Sequence, residues 1–452
     1  MTINSSPRSP ASVSLRELAI GAAKLEMIAY VIGQALRFFS GLVLSRLLFP
    51  EAFGLSVIVG LVSQGLVMVS NVGASQSIVQ SPRGDEAIFL NTAFTLLSIR
   101  GCILWIAASV MAYPLALLLH EPELSKLIPV GSLGVMIGGF SSTSLITLRR
   151  HLRVRPLIVI EITAQLLTFV ANVVLALTFR SVWGLIAGGL IGTVYSTAAS
   201  HLLREGYRNK FRWDRGSWLE IYRYGRWIQA SSFLSFVSGQ ADKFLIAHYM
   251  SMTVLGVYNY AVMLADGLSA AVVRVTHGVL FPVFSQIHRE DPTRLLGAYY
   301  RVRLRMDLLT MLPLGILAVL SQNIVDFLFD HRYAAAGWML QALCIRAAMA
   351  CMLAPVETYL FSVGSSKYGF YRDLARSAWV LIGIPFGWAW WGLHGVVWIV
   401  ALSELPVAAV LWVGFFRLGC MRPLSELIGP SAFFAGVLIG MAGLRFVLWP
   451  AK

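Results

Sequence analysis

Charge is what this sequence has least of. Only 13% of its 452 residues are Asp, Glu, Lys or Arg, against roughly a quarter in an average soluble domain. With 57% of residues hydrophobic and a mean hydropathy of +0.72, no soluble core of this size absorbs the apolar surface, so lipid is the expected solvent for most of the chain. Paired cysteines are missing too. Cys102, Cys344, Cys351 and Cys420 are scattered in apolar stretches without a C-x-x-C pair, which points to buried free thiols rather than disulfides or metal ligands. Signatures of catalysis are also lacking: there is no Walker A, H-E-x-x-H or G-x-S-x-G motif, and no carboxylate pair in a soluble loop. The expectation is a non-enzyme with no cofactor and no metal. The polar, Ser- and Pro-rich first 14 residues lack an apolar core and a small-residue cleavage site. They read as a disordered cytoplasmic tail, extending over 1–22, and not as a signal peptide.

What is present is a succession of apolar runs long enough to span a bilayer. They fall near 23–45, 53–79, 87–119, 127–148, 156–179, 182–203, 227–249, 254–284, 306–329, 335–362, 374–390, 392–416 and 427–449. Pro114 predicts a tilt or kink in the third, and Pro430 and Arg445 lie near the ends of the last. The expected fold is an all-α polytopic membrane protein with about 12–14 transmembrane helices. With the N-terminus in the cytoplasm, 25 of the 36 Lys and Arg residues fall in cytoplasmic segments and 5 outside. That asymmetry sets the orientation and gives the +14 net charge a topological meaning, with no nucleic acid required. Every external loop is short. The expected organisation is a tail (1–22), a six-helix bundle (23–203), a basic and aromatic cytoplasmic linker (204–226), a second six-helix bundle (227–416) and an extra segment (417–452). The linker's charge serves orientation and contact with anionic headgroups, or handles substrate directly. Aligning Phe53-Gly54 with Leu255-Gly256 gives a faint internal echo at an offset of 202 residues. Six spans per half imply a pseudo-symmetric repeat about the membrane normal.

Six cations lie within the spans: Arg37, Arg100, Lys243, Arg274, Arg346 and Arg445. Each costs roughly 2.5–3.5 kcal/mol at the bilayer centre, so each needs a partner or a wet cavity. Glu26, Tyr30, Gly33, Arg37 and Gly41 share one helical face, as do Ser231, Ser235, Ser238 and Asp242. Gln64, Asn71 and Ser75 form a third polar stripe, and Asn259, Asp266 and His277 a fourth. Under the 202 offset Gln64 overlies Asp266. The simplest geometry is a polar cavity between the halves, walled by spans one, two, seven and eight. The plainer alternatives remain: Ser and Gly at helical spacing mark close packing, Arg37 pairs with Glu26, Arg100 and Arg346 pair with neighbouring helices, and Lys243 snorkels. The excess of cations favours an anionic cargo. Arg37, Arg274, Arg100 and Arg346 are candidates for it, with Tyr30, Gln64, Asn71, Ser235 and Asn259 as substrate-binding hydrogen-bonding groups. Glu26, Asp242 and Asp266 are candidates for ion coupling.

Three segments carry a resemblance. Residues 44–80 hold Arg46, Leu48, Pro50, Phe53 and Gly54 in an R-x-L-x-P-x-x-F-G turn, then a span ending in Ile-Val-Gln. Residues 223–266 place Asp242 before a Leu255-Gly256-x-Tyr258-x-x-Ala261 turn. Residues 280–291 (LFPVFSQIHRED) follow span eight. The chain resembles the polysaccharide transporter family, the Wzx-type oligosaccharide flippases of the multidrug/oligosaccharidyl-lipid/polysaccharide exporter (MOP) superfamily. The resemblance implies two MATE-like six-helix bundles in a V-shaped, alternating-access transporter of the bacterial inner membrane. It implies undecaprenyl-diphosphate-linked oligosaccharide as cargo, for capsule, exopolysaccharide or O-antigen, with membrane lipids and the polymerase and export machinery as partners. The alternatives are a lipid II or drug exporter of the same superfamily and a membrane glycosyltransferase or polymerase.

Overall fold

The structure, a computed structural model, describes residues 15–71, 73–203 and 208–447. Its regular elements are helices throughout. The first half contributes α1 (Leu15–Leu47), α2 (Pro50–Val69), α3 (Ala74–Gln80), α4 (Ala87–Leu118), α5 (Leu124–Gly131), α6 (Leu133–Gly139), α7 (Ser144–Arg150), α8 (Arg155–Phe179) and α9 (Val182–Leu202). The second contributes α10 (Arg215–Tyr249), α11 (Met252–Val275), α12 (Phe281–Glu290), α13 (Pro292–Leu328), α14 (Ala336–Ser362), α15 (Lys367–Ala401), α16 (Glu404–Arg417), α17 (Pro423–Glu426) and α18 (Ile428–Val447). Helix starts follow local chemistry. Proline occupies the first turn of α2, α8, α12 and α13, where its missing N–H costs nothing. Side chains of Ser181, Asp214, Ser251 and Asp291 cap α9, α10, α11 and α13. The four cysteines are free thiols.

Among the described residues ten stretches are long and apolar enough to cross a membrane, or eleven if the bent pair Leu124–Gly139 and Ser144–Arg150 is one span. The sequence predicts thirteen; with the bent pair counted as one span, two local features account for the difference. Lys367–Arg417 counts as one stretch of 51 residues, about 75 Å at 1.5 Å per residue, against a hydrocarbon core of about 30 Å. It doubles back at Gly392 (φ 57°, ψ −136°). A Cβ on Gly395 would lie 2.1 Å from the Gly387 carbonyl oxygen, and the Trp379 indole donates to the Ile399 carbonyl at 2.9 Å. The expected spans 374–390 and 392–416 are therefore two arms of one helical hairpin. The expected span 227–249 is the later part of α10, which is helical but too polar to qualify on apolarity. Two boundaries also move. α1 begins at Leu15, within the stretch assigned to a disordered tail, and residues 1–14 lie outside the described ones. α10 begins at Arg215, so a helix takes over the second part of the 204–226 linker.

The 202-residue echo has a physical counterpart. Gly54 and Gly256 are 202 apart, and so are Pro50 and Met252. A Cβ on Gly54 would lie 2.0 Å from the Met252 carbonyl oxygen, and one on Gly256 would lie 1.9 Å from the Pro50 carbonyl oxygen. α2 and α11 thus cross at their starts through a reciprocal glycine contact that no side chain permits. The two halves are sealed around this crossing. Phe53, Tyr260, Phe329 and Tyr333 form an aromatic cluster with ring centroids 5.0–6.4 Å apart. Tyr260 donates to the Gly41 carbonyl at 3.1 Å. Arg332 covers the Phe49 ring at 4.8 Å and donates to the Ser45 and Arg46 carbonyls at 3.5 and 3.4 Å, where the α1 macrodipole favours a cation. Desolvation alone would raise the adjacent Asp330 carboxyl. The hydrogen bond and charge of Arg332, with His331, outweigh it and hold the carboxyl below its ordinary value.

The extra segment is built into the second half. A Cβ on Gly315 of α13 would meet the Phe433 carbonyl oxygen at 2.2 Å, and one on Gly436 of α18 the Leu312 carbonyl oxygen at 2.2 Å. This is close small-residue packing, with Gly436 and Gly440 at G-x-x-x-G spacing. Below it, buried Arg303 pairs with Asp307 at 3.3 Å and with Glu426 at 2.7 Å. Gly436→Leu is expected to separate α18 from α13 and lower the melting temperature in detergent by several degrees, since overpacking costs about 1–3 kcal/mol. An unchanged melting curve would contradict this packing.

Candidate functional site

A cavity of about 920 Å³ lies among α1, α3, α7, α8 and α9. Sequence reasoning placed a polar cavity between the halves. The residues lining this one all belong to the first half, because a polar stripe on α8 faces small residues on its neighbours. Glu161, Gln165, Thr168 and Asn172 line the wall at 4-3-4 spacing, one face of a helix. Opposite them stand Gly189, Gly192, Thr193 and Ser196 of α9. The glycines let the polar stripe approach: a Cβ on Gly192 would fall 2.0 Å from Thr168 Oγ1, and one on Gly188 1.9 Å from Asn172 Oδ1. Gly33 of α1 does the same for Gln165. Gln165 Oε1 and Asn172 Oδ1 are buried with no hydrogen-bond partner and sit against Gly33 and Gly188.

Two cations reach this space, Arg37 from α1 and Arg149 from the last turn of α7, and both are exposed. Arg37 receives only neutral help: it donates to Gln34 Oε1 from Nε at 3.3 Å and from Nη2 at 3.0 Å, and it does not pair with Glu26. Glu161 is the one carboxylate in the lining and accepts from Gln165 at 3.4 Å. The cavity therefore carries a surplus of positive charge amid uncharged hydrogen-bonding groups.

The other candidates lie elsewhere. Arg274 stacks over the Tyr30 ring at 4.4 Å, a contact between α11 and α1. Arg100 donates to Ser70 Oγ at 3.0 Å and to the Val67 carbonyl, closing the C-terminal turn of α2. Arg346 holds the Asp266 carboxylate at 2.7 and 2.8 Å. Asp242 accepts from Tyr258 at 2.6 Å, Ser235 donates to Asp373 at 2.6 Å, and Asn71 Oδ1 accepts from the Gly73 N–H. Lys243 donates to Gln240 on its own helix. Gln64 is exposed, and Glu26 and Asn259 are half-buried; none of the three lines the cavity. The side chain of Arg445 lies outside the described residues. Arg372 with Glu357 and Asp373, and Arg376 with Glu404, extend the ion pairing of the second half. Since Arg100 serves a helix end, Arg100→Met is expected to lower stability by about 1–2 kcal/mol without changing cargo affinity. A loss of affinity at unchanged stability would place Arg100 in the site instead.

Among the described residues no group of three or more His, Cys, Asp or Glu could hold a metal ion. A model of the family described as polysaccharide biosynthesis protein matches residues 43–336. The succinoglycan biosynthesis transport protein ExoT of Rhizobium meliloti (strain 1021) is 24% identical over 421 residues, covering 91% of this chain and 83% of ExoT. The inward closed conformation of the lipid II flippase MurJ has a TM-score of 0.75 at 12% identity, covering 94% of this chain and 93% of that one. An inward-facing multidrug resistance MATE family transporter has a TM-score of 0.61 at 14% identity, covering 89% and 97%. At those identities the two structures establish the fold, that of a polytopic α-helical membrane protein. The family match spans well over half of the sequence: the chain belongs to the polysaccharide biosynthesis protein family.

Proposed function

We propose that this protein is a flippase that carries undecaprenyl-diphosphate-linked oligosaccharide repeat units across the bacterial inner membrane by alternating access, for capsule, exopolysaccharide or O-antigen assembly. The observation that carries the reading is the cavity. Its two unpaired arginines suit a diphosphate, and its Gln, Asn, Thr and Ser groups suit sugar hydroxyls. The basic segments support a cytoplasmic α1 start. The sealed crossing of α2 and α11 then faces outward, and the cavity-lining α3 and α7 sit on the loading side. The headgroup enters beside Arg149 and Arg37, the prenyl chain stays in lipid, and parting of the α2–α11 crossing releases the cargo outside. Family membership and the transport role in ExoT's name support the same cargo class. A drug exporter fits less well, since an exporter of cations would not line its cavity with arginines. A polymerase or glycosyltransferase lacks a catalytic segment among the described residues. Deleting the gene in its host tests the reading. Loss of polymer with completed repeat units held on the cytoplasmic face is expected. Units already exposed outside would indicate a polymerase, and normal polymer a different cargo.

A further inference from the structure

Residues 208–214, leading into α10, form a strap held more firmly than a connector requires. Lys210 N–H donates to Asn91 Oδ1 at 2.7 Å, Arg212 N–H to Thr95 Oγ1 at 3.1 Å and Asp214 N–H to Thr92 Oγ1 at 3.1 Å. Asn91, Thr92 and Thr95 are buried on the first turns of α4. The strap meets their acceptor oxygens, while the Thr92 and Thr95 hydroxyls also donate to the Ile88 and Asn91 carbonyls at 2.8 and 2.9 Å. Asn209 adds a second anchor: its carbonyl accepts from the Ser142 hydroxyl at 2.8 Å and its amide donates to Thr143 Oγ1 at 2.7 Å. While alternate backbone N–H groups face α4, the side chains of Arg208, Lys210, Phe211, Arg212, Trp213 and Arg215 all stand exposed. None of these four cations has a carboxylate partner among the described residues. The carboxylate within the strap, Asp214, caps α10, accepting from the Ser217 N–H at 2.7 Å. Beside the cations runs a ridge of rings, with Trp213 on Trp218 at 6.0 Å and Trp218 stacked on Tyr222 at 5.7 Å.

The depth of the strap identifies its partner. α4 has 32 residues, about 48 Å of helix, roughly 18 Å more than the hydrocarbon core. The strap crosses it at Asn91–Thr95, about 6–12 Å from its start, which is the level of lipid headgroups. Basic and aromatic side chains at that level are the composition that membrane interfaces select.

We infer that the strap is a docking surface for anionic phospholipid headgroups, in which Arg208, Lys210, Arg212 and Arg215 meet the phosphates while Phe211 and Trp213 seat in the interfacial region. The hydrogen bonds from α4 hold this surface at a constant depth, so bound lipid fixes the level of the first half in its leaflet. The test uses the full chain in bilayers of phosphatidylcholine with a minority of spin-labelled phosphatidylglycerol. The readout is the preference of the protein for the anionic probe. The wild type is expected to prefer it several-fold, less so at high salt. A variant carrying R208Q, K210Q, R212Q and R215Q is expected to lose the preference, taking up the anionic probe no more than phosphatidylcholine, because basic residues near the surface are what attract anionic lipid. N91A keeps every charge but loosens the strap, and is expected to lose part of the preference; wild-type behaviour would overturn the role of fixed placement. An unchanged preference in the fourfold variant overturns the inference. If that variant also loses polymer in cells, the surface belongs to a protein partner instead.

Discussion

Replacing Arg37 and Arg149 together by glutamine is expected to reduce transport of the lipid-linked cargo more than 100-fold, with each single change costing about 10–100-fold. Both side chains line the cavity, and neither has a carboxylate partner among the described residues. Their charge is therefore available to a ligand, unlike that of Arg346, which Asp266 already holds. A hydrogen bond to a charged group contributes about 1.5–3 kcal/mol, and removing one partner of a desolvated charge pair costs about 2–5 kcal/mol. At 1.4 kcal/mol per factor of ten, the first of these figures gives about one to two decades per arginine. Arg37→Lys should recover part of the loss, since an ammonium keeps the charge but not the planar fork. Transport rates of purified variants, at matched folded yield, check this. Rates within about twofold of wild type would remove the two arginines from the site.

Gly54→Ala and Gly256→Ala are the next largest expected effects, and they act on the opposite side. Each introduced Cβ would meet a backbone oxygen at about 2 Å, Met252 in one case and Pro50 in the other. Backbone cannot rotate away as a side chain does, so the α2–α11 crossing must part, at a cost of about 1–3 kcal/mol. Alanine is the better helix former, so a destabilised crossing would reflect the contact and not propensity. Ser45 is fully buried beside this seal and donates to the Leu42 carbonyl at 2.8 Å. A Ser45→Cys reporter is expected to be nearly inert to a membrane-impermeant maleimide in the closed protein. In either glycine variant it should react at least about tenfold faster. Gly60→Ala, where nothing lies within 4 Å of the added carbon, should leave the rate unchanged. Equal labelling in all three would show that the glycine crossing does not set the closed state.

The sequence announced helices, spans and the repeat because these rest on local apolar length and on periodicity. The glycine echo at 54 and 256 was visible, but its meaning was not: only the fold shows each glycine against the carbonyl that is the other's symmetry mate. The partners in the ionic pairs of the second half could not be named, since Arg346 and Asp266 are 80 residues apart on separate helices. They account for charges that seemed free in isolation. The α8 stripe was legible and overlooked. Glu161, Gln165, Thr168 and Asn172 repeat the 4-3-4 spacing that drew attention to Ser231, Ser235, Ser238 and Asp242, but amid more apolar neighbours. Arg149 was passed over for a different reason: counted as a loop charge that sets orientation, it also turns into the cavity from the end of α7.

The most direct measurement is reconstitution of the purified protein into vesicles bearing a fluorescent undecaprenyl-diphosphate-linked oligosaccharide in one leaflet, with an impermeant quencher outside. The wild type is predicted to move the probe between leaflets well above the protein-free rate, and the double variant R37Q/R149Q to fall back to that rate. Wild-type vesicles that exchange the probe no faster than empty ones would contradict the flippase account.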